Sequence, residues 1–331
     1  MARSENQKQK RFRIIEMMIE ETDESHGLSV RDIISRLEKQ GISAERKSVY
    51  DDMLTLGELG FDVITLPKKP PEYTLGTRPF ELAELKMLVD AVESSRFITA
   101  AQSRALIEKL RAYAGKRHSS ELSRQVYVED RIKTENDFSF ENIDLLHKAI
   151  NENKKIAFKY FDYNARGERI LRHGGAVYEA SPVALIMSEE NYYLVAYDEA
   201  AAADKHFRVD KLTALRLLDA PRSRAVTERR FNPAEYSRKL FGMYGGAEEL
   251  VTLDFSEHLA GVIVDRFGEV TMRDSELGFR VSLRVRLSPN FYGWLMSFGA
   301  DARVVSPDYV RDELCSRLSG IAALYGREVK I

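Results

Sequence analysis

The first 60 residues place apolar side chains at helical intervals. Phe12, Ile15, Met18 and Ile19 form one stripe, and Val30, Ile33, Ile34 and Leu37 form a second. Ser29 stands at the N-cap of that second helix, with Asp32 three positions on, a variant of the capping box. Gly41 breaks the chain, and Ser43 offers a cap for a third helix that carries Val49, Met53 and Leu56 inward and stops at Gly60. Two β-prone runs follow, 61–66 and 72–75, separated by PKKPP at 67–71. Helix, helix, short turn, helix, hairpin is the order of a winged helix-turn-helix. Residues 79–116 read as two amphipathic helices, one carrying Leu82, Leu85, Leu88 and Val89, the other Ala105, Leu106 and Leu110, closed by Gly115.

From Phe138 the period changes. One helix with Ile143, Leu146 and Ile150 inward precedes a run of short strands. In 155–163 strict alternation puts Ile156, Phe158 and Tyr160 on one face. Further β-rich runs lie at 175–187, 192–197 and 206–218, with no helix between them, which predicts a small barrel. The last block reads β-α-β-β-α-β, with strands at 249–255, 269–273, 279–287 and 303–305. Its helices open at Ser256 and at Ser288-Pro289, and a final helix opens at Ser306-Pro307. That order is ferredoxin-like. The expected fold is therefore α+β and multidomain. It divides into a winged helix-turn-helix (1–78), a helical linker (79–137), a small Sm-like or SH3-like barrel (138–219), a second linker (220–248) and a ferredoxin-like extension (249–331).

Composition narrows the function. With 331 residues, 44% hydrophobic and 31% charged, the chain is globular and too long for one ordinary core. No run approaches the roughly 20 apolar residues of a membrane helix, and the basic N-terminus lacks a signal-like apolar segment. A single cysteine, Cys315, rules out an internal disulfide and a zinc finger, and its helical neighbours predict a packed core thiol. These features predict a cytoplasmic protein. A net charge of −2 counts against a simple nucleic-acid binder, so any polyanion site must be a local patch. Two patches stand out. Residues 1–13 hold Arg3, Lys8, Lys10, Arg11 and Arg13 against Glu5, and residues 153–173 hold six basic side chains against Asp162 and Glu168.

On the third helix, burial of Val49, Met53 and Leu56 leaves Arg46, Lys47, Ser48 and Tyr50 near the N-terminal end on more exposed faces. The first turn of a recognition helix is the part that reaches base edges. Arg46 and Lys47 suit guanine or phosphate, and the hydroxyls of Ser43, Ser48 and Tyr50 suit phosphate. Lys68 and Lys69 in the hairpin, with Lys8, Lys10 and Arg11, are natural phosphate contacts. The plainer alternative is a solvated helix face. Asp51 and Asp52 would repel DNA unless they turn away or pair with a basic neighbour. In 206–211 alternation sets Phe207 and Val209 against His206, Arg208 and Asp210. Arg208 either binds an anion or pairs with Asp210 to fix the barrel.

Tyr192-Tyr193-Leu194, after Ser181-Pro182 and before Phe207-Arg208-Val209-Asp210-Lys211, resembles the signature of the WYL-domain family of bacterial transcription regulators. Tyr192 stands where the family usually has Trp, and Lys211 where Arg is common. The stretch 45–60 (ERKSVYDDMLTLGELG) resembles the family's recognition helix, and residues 294–299 with Ser306-Pro307 resemble its C-terminal extension. The resemblance implies a homodimer that binds a double-stranded DNA operator, with a regulatory ligand in the barrel, nucleic acid or nucleotide foremost. It assigns that ligand role to Tyr192, Tyr193, Arg208, His206 and Lys211. Tyr160, Arg169 and Arg172 join them from the local basic cluster.

No nucleotide-binding or hydrolase motif occurs, and the six histidines lack metal-ligand spacing, so neither an enzyme nor a cofactor or metal is expected. The competing reading is an RNA- or nucleotide-binding protein in which the barrel is the main surface, and a third is a dimerising scaffold.

Overall fold

The computed structural model describes residues 2–118 and 133–328, with side chains for all of these except 2–8, 116–118 and 139. It divides into two compact units, Met1–Asp137 and Phe138–Ile331.

In the first unit, α1 (Ala2–Glu21), β1 (Leu28–Ser29), α2 (Val30–Lys39) and α3 (Arg46–Glu58) precede the hairpin β2 (Val63–Leu66) and β3 (Glu72–Leu75), and the three strands pair in the order β1-β3-β2. β1, two residues long, left no alternation in the sequence to detect. The α1 stripe lies one position round from the expected one. Ile14, Met17 and Met18 are buried, whereas Phe12 is 73% exposed. The expected inward residues of α2 and α3 fit better, since Val30, Ile33, Leu37, Val49, Met53 and Leu56 all enter one core. The capping box at Ser29 forms as expected. The hydroxyl accepts from the Asp32 N–H (3.2 Å), and the Asp32 carboxylate accepts from the Ser29 N–H (3.1 Å). Both core helices end in Schellman geometry at left-handed glycines. Gly41 donates to Glu38 and Ile42 to Leu37, and Gly60 donates to Gly57 and Phe61 to Leu56. Ser43, by contrast, does not cap α3. Glu45 occupies the cap position, without a side-chain bond.

Two further helices, α4 (Leu82–Ser94) and α5 (Ala100–His118), pack on each other, and α5 also packs on α1. Leu85, Val89 and Ile107 are buried, while Leu88 and Ala105, expected inward, are exposed. Two cations cap helix C-termini here. Arg78 donates to the carbonyls of Ile19 and Thr22, and Lys133 donates to those of Val92, Glu93 and Ser95 at 2.9–3.2 Å.

In the second unit, α6 (Ser139–Asn151) leads into β4 (Lys154–Tyr163), β5 (Arg169–Leu171), β6 (Tyr178–Ser188), β7 (Asn191–Asp198), β8 (Ala203–Arg208) and β9 (Leu212–Pro221). The sheet runs β5-β4-β6-β7-β8, and β9 returns to pair with β4, which curls it into an antiparallel half-barrel. Ile156, Phe158 and Tyr160 face inward, as their alternation required, onto Leu146, Leu194, Phe207 and Leu212. Asn142 on α6 donates to the carbonyls of Val209 (3.5 Å) and Leu212 (3.3 Å), holding the helix over the turn between β8 and β9.

Residues after β9 are more than a linker. With α7 (Arg224–Thr227) and α8 (Pro233–Arg238), they carry Val226, Leu240 and Met243 onto the outer face of the half-barrel, against Val183, Ile186 and Val195. The chain then forms β10 (Glu248–Phe255), α9 (Ala260–Phe267), β11 (Arg273–Asp274), β12 (Phe279–Arg286), α10 (Pro289–Met296), β13 (Ala302–Ser306) and α11 (Asp308–Leu324). Its four strands are antiparallel in the order β11-β12-β10-β13. β12 alternates buried and outward residues along its length, and its Val281, Leu283 and Val285 meet Val251, Leu253 and Phe255 of β10 in one core with Phe291 and Leu295. Ser288 caps α10 by accepting from the Phe291 N–H (3.2 Å). The strand expected at 269–273 shrinks to two residues, and the helix expected from Ser256 begins as a 3-10 turn. Cys315 is a partly exposed free thiol, because only the first turns of α11 reach the sheet.

The turn joining β6 to β7 holds Glu189 (φ 48°) and Glu190 (φ 61°), both left-handed, in the two-residue geometry that favours Asn-Gly. Glu190→Gly should therefore raise stability by about 1 kcal/mol, read as a higher urea midpoint at unchanged slope.

Candidate nucleic-acid interface and ligand site

The polar turn of α3 is open. Arg46 and Lys47 are exposed, and Tyr50 and Ser48 are half-buried. Arg46 lies along Tyr50, its guanidinium 5.8 Å from the ring centre and its Nη2 3.3 Å from the hydroxyl oxygen, and Tyr50 meets Tyr73 edge-on at 6.3 Å. Arg46 and Tyr50 line a cleft of about 620 Å³ with Ser29 of β1, Arg31 and Ser35 of α2, and Pro70 and Pro71 of the hairpin loop. Ser43, Lys68 and Lys69 are exposed. Lys68 pairs with Glu72 at 2.8 Å, whereas Lys47 and Lys69 make no ion pair among the described residues. Arg31 was missed in the sequence. Its signal is a cation in the first turn of a helix, where the dipole disfavours it, which leaves an outside anion as a fitting partner.

The N-terminal basic patch is used differently from the expectation. Lys10 is not at the surface. It is 1% exposed, 2.5 Å from the Asp52 carboxylate, and it donates to the Ser48 hydroxyl. Arg11 bonds the same carboxylate at 2.8 Å. Asp52 is thus taken up by basic neighbours, one of the two outcomes its position demanded. Lys8 lies on α1, with its side chain outside the described residues.

The barrel residues separate into two sets. Tyr192 and Tyr193, adjacent in sequence, face opposite sides of β7. Tyr192 packs against the inner core, and Tyr193 packs on the outer face beneath the segment after β9. Arg208 is cross-strand from Tyr193 and donates twice to Asp210, at 3.0 and 2.8 Å, which is the pairing alternative. Its N–H donates to the Tyr160 hydroxyl at 3.2 Å. Burial pushes the Tyr160 phenol up to about 12. Close by, Asp162 collects Lys211 (2.7 Å) and Arg172 (2.6 Å). Those two bonds, with Lys211 foremost, hold its carboxyl down to about 2. Arg172 covers the Tyr160 ring at 5.1 Å, and Arg169 covers Phe161 at 4.9 Å. Arg172 and Lys211 thus share Asp162, and Arg208, linked to them through Tyr160, is held by Asp210. Asp162 was legible only as a charge to subtract, because its role depends on strands that pair across the fold.

His206 leaves this set. Its Nε2 is 2.9 Å from the Tyr236 hydroxyl, and burial, with Arg286 nearby, lowers its pKa to about 4. It is neutral at pH 7 and contributes no charge to an anion site.

Among the described residues no group of three or more His, Cys, Asp or Glu side chains converges to hold a metal ion, and no helix is long and apolar enough to cross a membrane.

This half-barrel and the sheet after it correspond to two known domains. Residues 141–217 match the WYL domain and residues 247–322 the WCX domain, so the chain carries both. Among solved structures it is similar to proteasome accessory factor B/C (PafBC) of Arthrobacter aurescens, with 18% identity and a TM-score of 0.30 over 97% of this chain and 49% of that one. It therefore spans about half the length of that protein. It is also similar to a CRISPR Cas-related protein, with 14% identity and a TM-score of 0.37 over 75% of this chain and 72% of that one. No curated protein sequence matches it.

Two predictions test this geometry. Asp52→Ala leaves Lys10 buried without its counter-charge and should cost about 3–5 kcal/mol, measured by denaturant unfolding. For His206, the unfolded side chain titrates near 6.5 and the folded one near 4. The unfolded state therefore binds more protons between those values, and stability is present above pH 6.5 and lost as pH falls toward 4. His206→Phe should flatten that loss, which is on the order of 2–3 kcal/mol across the window.

Proposed function

We propose that this chain is a cytoplasmic transcription regulator, active as a homodimer, that reads a duplex operator through residues 1–78 and senses an anionic ligand at the WYL barrel. The carrying observation is the exposed Arg46–Lys47 turn beside the cleft, on a helix whose other side is held in the core. The order α-β-α-α-β-β with strands β1-β3-β2 supports a winged helix-turn-helix, and a protruding polar first turn suits the major groove. Arg31, Ser43 and Tyr50 add phosphate contacts, and Lys68 and Lys69 supply them from the wing, while Ser48, expected to join them, is taken by Lys10. The return of β9 to β4 supports an Sm-like barrel. The strand order β11-β12-β10-β13 supports a ferredoxin-like extension. The ridge of Arg172, Lys211 and Arg208, with Arg169 and Tyr163 at its edge, suits a phosphate-bearing ligand such as a nucleotide or single strand. We assign no catalytic role to any residue.

The test is a gel-shift salt series on duplex DNA selected by the protein from a random pool. Arg46→Ala with Lys47→Ala should weaken duplex binding roughly 10- to 100-fold and reduce the log–log salt slope by about 2. Arg172→Gln with Lys211→Gln should leave duplex binding intact and remove its response to a short single-stranded oligonucleotide or a nucleoside triphosphate. Arg208→Ala is a poorer probe, because it strands the buried Asp210. If the barrel variant loses duplex binding and the helix variant keeps it, the barrel is the principal nucleic-acid surface.

A further inference from the structure

We propose that Lys10 is a positioning residue for α3: by bonding Ser48 and Asp52 together it sets the helix's rotation, and so decides which side chains meet the duplex. The inference rests on the reading of α3 as the duplex-reading helix.

Ser48 and Asp52 are four residues apart, so they lie one above the other on the face of α3 turned to α1. Lys10 reaches both from α1, and Arg11 holds the second oxygen of Asp52 from outside. The set is buried at its centre, with Lys10 1% and Asp52 2% exposed. The apolar anchorage of α3 consists of Val49, Met53 and Leu56, with Tyr50 half-buried at its edge. Aliphatic packing of that kind tolerates small slips, since cores lose uniqueness before they lose stability. A buried cation that donates a hydrogen bond to Ser48 and forms an ion pair with Asp52 one turn on does not. For stability alone an apolar pair of similar volume would serve as well or better, because both ions must be taken out of water. What the pair adds is register. It also withdraws Asp52, whose carboxylate would repel phosphate after a rotation of one position, and leaves Arg46 and Lys47 to the groove.

The test uses the full chain and a duplex that the wild-type protein selects from a random pool. The readouts are the unfolding midpoint and the ratio of specific to non-specific duplex affinity. Lys10→Met with Asp52→Leu should keep or raise the midpoint while the ratio falls at least tenfold. A folded double variant with an unchanged ratio would overturn the proposal. Should that variant not fold, Ser48→Ala decides. It removes one anchor and strands no charge, and it should lower the ratio about threefold or more, whereas loss of a mere phosphate contact would weaken both affinities alike and leave the ratio fixed. A wild-type protein that selects no duplex sinks the DNA-binding reading itself, an outcome separate from either of these.

Discussion

A carboxylate taken out of water costs several kcal/mol unless a cation meets it with good geometry, and this chain repeatedly builds its layers around that requirement. Asp52 joins α3 to α1 through Lys10 and Arg11. Asp254, fully buried on β10, takes Arg280 from β12 at 2.6 and 3.0 Å and Arg303 from β13 at 2.9 and 3.1 Å. Asp210 holds Arg208 at the end of the half-barrel, and Asp204 holds Arg229 from the segment that follows β9 at 2.8 Å. For Asp52, Asp254 and Asp204 the acid and its partner come from different elements, so the pair helps fix how those elements meet, whereas Asp210 and Arg208 are two residues apart and brace the turn after β8. Aliphatic burial supplies the drive to fold, and these pairs help select one arrangement.

The same requirement shapes the surface. Where a carboxylate draws in its arginines and lysines, those cations are less available to solvent. Arg46 and Lys47 stay exposed at the first turn of α3, while Asp52 is engaged by Lys10 and Arg11. On the half-barrel, Asp162 takes Arg172 and Lys211, and Asp210 takes Arg208.

The segment after β9 ties the WYL and WCX regions together. Arg266 of α9 lies 3.9 Å from the Phe241 ring centre and near Trp294, and it donates to the Leu240 carbonyl at 2.9 Å. Arg286 of β12 covers Tyr236, whose hydroxyl meets His206 of the half-barrel. A spacer of this composition could have been loose. Its apolar residues are instead shared between two cores, with Val226, Leu240 and Met243 on one and Phe241 on the other.

By itself the sequence determined the local features, because they depend on neighbours in the chain. The capping box at Ser29, the stops at Gly41 and Gly60, the inward faces of α2 and α3, the alternation of β4 and the Ser288 cap were all legible, since period and cap chemistry act over a few residues. The α1 stripe was misplaced because two adjacent stripes of similar hydrophobicity compete there, and packing partners decide between them. Only the tertiary structure decided where the charges go. That Lys10 is buried, that His206 is covered and neutral, and that Asp162 gathers two cations follow from contacts between residues 10 to 49 positions apart in the chain. Electrostatic partnership is set by distance in space and by loss of solvent, and neither is written in the order of residues.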